Sequence, residues 1–150
     1  MEIQRLGPED RDRVLAAATL FDGPAREDWT SRFLAEDGHH LLIASVDGVD
    51  VGFVSGVETT HPDKGTEMFL YELGVDEPYR RRGIGRALVA ALAGLAADRG
   101  CYGMWVSAEA DNAAALATYR SAGAGPPEPG VTLTWELGSG AGPAPAGGRP

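Results

Sequence analysis

Glu77-Pro78-Tyr79-Arg80-Arg81-Arg82-Gly83-Ile84-Gly85-Arg86-Ala87-Leu88 is the stretch whose reading decides the rest of the chain. It follows an apolar run, Phe69 to Val75, that reads as a strand, and it opens a long helical pattern. Backbone amides in a glycine turn at a helix N-terminus have no intrahelical acceptor and sit at the positive end of the helix dipole. Gly83 and Gly85 remove the side chains that would keep a bulky anion from those amides. Three arginines just ahead of the helix add positive charge to a chain that is otherwise acidic. A phosphate-bearing ligand is expected here.

Two familiar phosphate loops do not fit. A P-loop needs Gly-Lys-Ser/Thr after its glycines, and no such tripeptide occurs in the chain. A dinucleotide fingerprint needs Gly or Ala three positions after the second glycine, where Leu88 stands. What remains, Arg80-x-x-Gly83-x-Gly85, resembles the pyrophosphate-binding motif of the GCN5-related N-acetyltransferases. The resemblance implies that the loop of Arg80, Arg81, Arg82, Gly83, Ile84, Gly85 and Arg86 holds the pyrophosphate of acetyl-coenzyme A. An arginine-rich surface turn with a glycine helix start is the competing reading, and the hexapeptide alone leaves the two balanced.

A second segment tips the balance. After the strand-like Met104-Trp105-Val106 comes Asp111-Asn112-Ala113-Ala114-Ala115-Leu116-Ala117-Thr118-Tyr119, and the superfamily's Asn-x-x-Ala-x-x-x-Tyr helix start matches Asn112, Ala115 and Tyr119. Asp111 or Asn112 can cap the helix. Tyr119 lies about two turns beyond Asn112 on the same face. A phenol there can protonate a departing thiolate as a general acid. Alone, Tyr119 would read as a core tyrosine. Both motifs, in order and at family-like spacing, favour the acetyltransferase reading, in which Asn112 bonds the pantetheine arm.

Composition narrows the class. The 150 residues suit a single domain, and 43% hydrophobic with 23% charged content is ordinary for a soluble globular chain. No apolar stretch is long enough to span a bilayer. Met1 to Arg5 is polar and leads into Pro8-Glu9-Asp10, which does not read as a signal peptide. One cysteine, Cys101, cannot form an internal disulfide, which fits a reducing cytoplasm. No metal is expected, because His39 and His40 are adjacent and His61 stands alone in a loop. A net charge of −9 disfavours nucleic acid, since no broad basic face can be built from 13 Lys and Arg of which Arg80, Arg81, Arg82 and Arg86 already crowd the glycine turn. It suits an anionic cofactor and a cationic second substrate, with plain solubility as the competing explanation.

The expected elements run strand 2–6, an amphipathic helix from Pro8 to Leu20, and a helix over 26–36 with Trp29, Phe33 and Leu34 turned inward. Strands Leu41 to Val46 and Val51 to Val57 follow, joined through Asp47-Gly48, a strong hairpin signal. Glu58 to Gly65 reads as a polar loop, Glu67 to Val75 as a strand, and Gly83 to Arg99 as the main helix with Ile84, Leu88, Leu92 and Leu95 on one stripe. Strand 103–108, helix 112–122 and strand Val131 to Leu137 complete a domain over 1–137, and 138–150 reads as a disordered Gly/Pro/Ala tail. This order matches the superfamily. It implies an α/β (α+β) fold whose mixed, mostly antiparallel sheet is splayed between the strands at 67–75 and 103–108 and flanked by about four helices.

Strict alternation along 67–75 places Phe69, Tyr71, Leu73 and Val75 on one face and Met68, Leu70, Glu72 and Gly74 on the other. Glu72 is then a carboxylate on an otherwise apolar face, costly unless it is paired or meets a solvated cleft. Its functional reading is a general base for an ammonium substrate, acting directly or through water. An edge-strand acid facing water, or one paired to a buried arginine, is the alternative. By resemblance, Leu73 and Val75 supply main-chain contacts to the pantetheine arm in the splay, and a nearby amide stabilises the oxyanion. Glu109 and Asp111 add acids beyond strand 103–108, though Asp111 reads equally well as a helix cap.

The resemblance narrows further. Leu20-Phe21-Asp22, Leu42-Ile43-Ala44, Val51-Gly52 and Leu70-Tyr71-Glu72-Leu73-Gly74-Val75 with Tyr79 to Ile84 are similar to the aminoglycoside 3-N-acetyltransferases of the gentamicin and fortimicin type. That type has Asp at the position of Glu72, an acid at Glu109, and Asp where Asn112 stands. The implied substrate is an aminoglycoside amine bound by Asp22, Glu72, Glu109 and Asp111, and the implied assembly is a homodimer. A polyamine, an amino acid or a protein N-terminus is the alternative acceptor. A non-catalytic coenzyme A-binding sensory domain is the alternative of another class. Cys101 as an acyl-enzyme nucleophile is disfavoured, because it follows the helix-ending Gly100 and no His stands near it in sequence to activate it.

Overall fold

The computed structural model describes residues 1–138. The chain divides into two compact units, Met1–Ser107 and a second that begins at Ala108. In the first unit one five-stranded sheet runs in sequence order: β1 (Glu2–Arg5), β2 (His39–Val46), β3 (Val49–His61), β4 (Gly65–Val75) and β5 (Met104–Val106). The first four strands pair antiparallel, and β5 lies parallel to β4. The mixed, mostly antiparallel sheet expected from the sequence is therefore present.

Helices cover both faces. Between β1 and β2, the segment expected as a single helix from Pro8 breaks into α1 (Arg11–Ala16) with single 3-10 turns at Pro8–Asp10 and Ala18–Leu20, and α2 (Glu27–Ala35) follows. Their buried Val14, Ala17 and Leu34 pack with Leu6, Leu41, Ile43 and Phe53. The other face receives α3 (Ile84–Asp98), which buries Ile84, Leu88, Val89, Leu92 and Ala96. Each such aliphatic side chain contributes about 1.5–3 kcal/mol before the cost of ordering it. Gly56 faces α3 so closely that an added Cβ would stand 2.8 Å from Leu92 and from Met68.

Asp47 and Gly48 turn the β2–β3 hairpin with φ of 52° and 80°. That is the left-handed pair a tight two-residue turn needs. Other expectations are corrected. Glu58 to Gly65 is not a loop, because β3 continues to His61 and pairs back to Gly65, leaving Pro62 to Lys64 as the turn. Polar residues there sit at the end of a hairpin, where a strand has little core to meet. Trp29 is not turned inward: it is 45% exposed, with the Arg26 guanidinium 4.2 Å from its ring centroid. The strand at 103–108 shrinks to Met104–Val106.

In the second unit α4 (Ala113–Ser121) is the one regular element among the described residues. Val131 to Leu137 forms no strand, and Val131, Leu133, Trp135 and Leu137 stay 73–93% exposed. Alternation records a fitness for strand, but a strand exists only where a neighbour takes its backbone hydrogen bonds. Of the expected tail, residues 139–150 lie outside the described residues.

Candidate active site

The site begins with a slip in register. Along β3 and β4, Gly56 pairs with Leu70 and Ser55 with Glu72, so Tyr71 is an extra residue without an opposite number. A bulge of this kind re-aims the residues beside it. Cross-strand partners share a face, and adjacent Gly56 and Ser55 point to opposite faces. Leu70 therefore stays with Met68 on the α3 face, whereas Glu72 joins Ser55 and Phe53 on the face of α1 and α2. Gly74 confirms the assignment: an added Cβ would stand 2.7 Å from the Phe53 ring. Strict alternation, which grouped Glu72 with Met68 and Leu70, is overturned by this one residue.

Glu72 has no ion-pair or hydrogen-bond partner among the described residues. It keeps solvent access, yet the surrounding protein removes enough water to push its carboxyl above the ordinary glutamate range. Across from it, the Ser55 hydroxyl is buried and uncommitted. Nothing in the sequence marks Ser55, because its place beside Glu72 follows from register alone. The chain before Asp22 comes to the same side: the Leu20 carbonyl lies 3.4 Å from where a Gly74 Cβ would stand, and Phe21 tilts against Phe53 at 4.8 Å.

Pairing between β4 and β5 stops at Leu70 and Val106, immediately before the bulge. Residues 72–75 of β4 are thus paired toward β3 and unpaired toward β5. The Asp76 N–H bonds the Val51 carbonyl at 2.9 Å. By two-residue alternation Gly74 points its amide groups to β3, while Leu73 and Val75 point theirs into the gap. The two are not equal, however. Arg80 Nε donates to the Val75 carbonyl at 2.9 Å, which leaves Leu73 as the residue with both groups free.

The glycine turn follows at once. Gly83 takes φ 81° as the N-cap of α3 and Arg81 takes φ 60°, a left-handed pair of positions that folds the chain back over the helix start. A Cβ at Gly83 would meet nothing, so its requirement for glycine is conformational. The Gly83 carbonyl accepts from Ala87 at 3.0 Å, and the N–H groups of Ile84, Gly85 and Arg86 have no backbone acceptor among the described residues. Arg81, Arg82 and Arg86 are exposed around them, with Arg82 5.3 Å from the Tyr79 ring centroid. Free amides, a helix dipole and three exposed guanidiniums fit a pyrophosphate.

The remaining expected residues belong to the second unit. Asn112, not Asp111, caps α4, its Oδ1 accepting from the Ala115 N–H at 3.1 Å. Asp111 and Glu109 are exposed on the turn before it, where the Glu109 carbonyl accepts from the Asn112 N–H at 3.0 Å. Tyr119 is half-buried, and burial pushes its phenol above the ordinary value, keeping it protonated. Cys101 also rises, by burial first and then by the nearby Glu58 charge, so it is no thiolate. No group of His, Cys, Asp and Glu suited to a metal ion occurs among the described residues. A cleft lined by Gln4, Arg13, Ser45 and Asp50 lies beside β1 at the β2–β3 hairpin end, but Arg13 and Asp50 already satisfy each other there at 2.8 and 3.0 Å.

Comparison with known proteins agrees with this geometry. The model of the Acetyltransferase (GNAT) family matches residues 9–124. The chain belongs to that family. The [ribosomal protein bS18]-alanine N-acetyltransferase of Escherichia coli strain K12 is 42% identical over 57 residues, 38% of each chain. The mycothiol acetyltransferase of Salinispora arenicola is 39% identical over 79 residues, 53% of this chain and 24% of that one. The chain thus spans well under half the length of these relatives. Among solved structures, the aminoglycoside acetyltransferase HMB0005 from an uncultured soil metagenomic sample superposes with a TM-score of 0.75 at 26% identity, over 90% of this chain and 98% of that one. Aminoglycoside acetyltransferase meta-AAC0020, from a similar source and in complex with sisomicin, reaches 0.79 at 20% identity over 91% and 96%. The GNAT fold is shared with both.

Proposed function

We propose that this GNAT chain transfers the acetyl group of acetyl-coenzyme A to an amine of an aminoglycoside, of the 3-N type, by direct transfer in a ternary complex. The observation that carries the reading is Glu72: an unpaired, solvent-reached carboxylate with a raised pKa, aimed by a bulge at the point where β4 and β5 separate. A raised carboxyl pKa makes Glu72 a stronger base toward an ammonium than an ordinary glutamate, directly or through water. The freed amine nitrogen then attacks the thioester carbonyl carbon. As the C–N bond forms and the C–S bond breaks, Tyr119 gives its proton to the thiolate, and solvent later restores it. Tyr119 and Asn112 hold these roles by motif.

Arg81, Arg82, Arg86 and the amides of Ile84 and Gly85 hold the pyrophosphate. Arg80 braces the turn on Val75, and Leu73 offers its main chain to the pantetheine arm. Asp22, Glu72, Glu109 and Asp111 supply negative charge for a polycationic acceptor. A homodimer in the cytoplasm is the setting we propose.

A second reading has its own support in the bS18-alanine N-acetyltransferase similarity, namely transfer to the α-amine of a protein N-terminus. Thiol release from acetyl-coenzyme A separates the two. Purified protein is presented with gentamicin, sisomicin, fortimicin and apramycin beside spermidine and an alanine-initiated peptide. Turnover on the drugs, with product NMR locating the acetyl on the 3-amine, supports the first reading. Turnover on the peptide alone replaces it with the second. Coenzyme A binding without turnover on any amine overturns both in favour of a sensory domain.

A further inference from the structure

On the face that carries Glu72, three aromatic rings meet. Phe69 stacks on Trp105 with centroids 4.2 Å apart and planes 25° apart, and Tyr71 meets Phe69 edge-on at 5.6 Å. Phe69 and Trp105 are register partners on neighbouring strands, and Tyr71 is the bulge residue directly before Glu72. Phe69 is half-buried, yet Tyr71 stays 63% and Trp105 48% exposed.

The indole is not loose. Phe69 covers one side of it, and the indole lies close enough to Glu67 to help hold that carboxyl below its ordinary range. Glu67 is itself held by His61 at 3.1 Å and by the Tyr102 hydroxyl at 2.8 Å. These two bonds, His61 first, keep the Glu67 carboxyl below its ordinary range, so it is ionised at neutral pH. A large ring held by stacking on one side and still open to solvent is partly preorganised for contact, since some of its rotamer freedom is already lost before binding.

Resting on the acetyl-transfer reading above, we infer that Trp105 and Tyr71 form the acceptor-specificity platform of this site, taking the apolar face of an amine-bearing saturated ring, as in an amino sugar or aminocyclitol. The rings supply stacking and cation–π attraction. Glu72 beside them and Glu67 behind them supply the negative charge that a protonated amino ring complements, within a chain of net charge −9. A linear polyamine has no ring face to offer.

The test uses Trp105→Ala, Trp105→Phe and Tyr71→Ala in the full chain, with two readouts. In steady state, KM for a ring acceptor such as apramycin should rise about fivefold to tenfold in the alanine variants, with kcat and KM for acetyl-coenzyme A nearly unchanged. KM for spermidine should not move, and Trp105→Phe should restore most of the loss. In calorimetry without acetyl-coenzyme A, apramycin affinity should fall by the same factor. That second readout needs no turnover, so it separates the two ideas. Ring-selective binding lost in Trp105→Ala, with no acetylation of any amine, supports the platform while the transfer reading fails. Acetylation of apramycin with unchanged KM and affinity in the variants overturns the platform and leaves the transfer reading standing. Equal losses for apramycin and spermidine, not restored by Trp105→Phe, also overturn it.

Discussion

Two glutamates stand on neighbouring strands of one sheet with opposite fates. Glu58, on β3, bonds buried His40 at 2.7 Å and Arg99 at the end of α3, and Arg99 in turn bonds Asp37 at 2.7 Å. Burial pushes the Glu58 carboxyl up, but the bonds from Arg99 and His40 outweigh it and hold the carboxyl below its ordinary range. Glu72, on β4, keeps its solvent access and has no partner among the described residues, and partial desolvation moves its carboxyl the other way. The same side chain in the same secondary structure is a tie between β2, β3 and α3 in one place and a candidate base in the other. What differs is whether the fold supplies a cation.

The sharpest break of this comparison is Glu72→Gln against Glu58→Gln. Glu72→Gln should lower kcat about 10²-fold to 10⁴-fold without lowering thermal stability. A drop in melting temperature with activity retained would reverse the two roles. Next in size, Tyr119→Phe should lower kcat by about 10²-fold with little change in KM for acetyl-coenzyme A. Pre-steady-state thiol release reads this directly, and an unaltered rate removes Tyr119 from the mechanism.

The stability arm is smaller. Glu58→Gln removes the ionised partner of a fully buried imidazole and should cost about 2 kcal/mol, a fall in melting temperature of roughly 4–8 °C for a chain of this size. Turnover at saturation should stay within twofold of the parent chain; a stable, inactive Glu58→Gln would break the distinction. The pH response follows from the same shifts. A carboxyl whose folded pKa is raised adds stability only below its unfolded value and loses it as pH rises through the folded value, so Glu72 adds none at pH 7. Glu58, with a lowered folded pKa, contributes above its unfolded value and loses this as pH falls through the folded one. Burial lowers the His40 pKa as well, favouring the neutral ring. Denaturant midpoints should therefore decline as pH drops below about 6.5, while kcat/KM falls separately with the protonation of Glu72. Midpoints that stay flat from pH 7.5 to 5.5 would remove His40 from this account. Smallest of all, Cys101→Ala should leave turnover nearly intact, and a large loss would replace direct transfer by an acyl-enzyme.

The glycine turn and its helix were legible because their chemistry is local: Gly83 needs its φ of 81°, and the amides that follow are free in any helix start. The Asp47-Gly48 hairpin and the α3 stripe were legible for the same reason. Glu72 was legible as a mid-strand carboxylate but assigned to the wrong face, since one unpaired residue at Tyr71 reverses every side chain beyond it. Val131 to Leu137 shows the converse, a strand pattern that found no partner strand.

By itself, the sequence determined the segments whose conformation is settled within a few residues: the glycine turn, the start of α4 at Asp111 or Asn112, the tight hairpin and the amphipathic stripe of α3. Tertiary structure alone decided the relations between strands. It set the register slip that turns Glu72 from the α3 face to the opposite one, and the end of β4–β5 pairing that leaves Leu73 open. It also decided the supply of cations to Glu58 and not to Glu72. Local preference acts over a turn or a cap, whereas register, pairing and charge neighbours arise only when segments distant in sequence compete for the same hydrogen bonds and the same buried space.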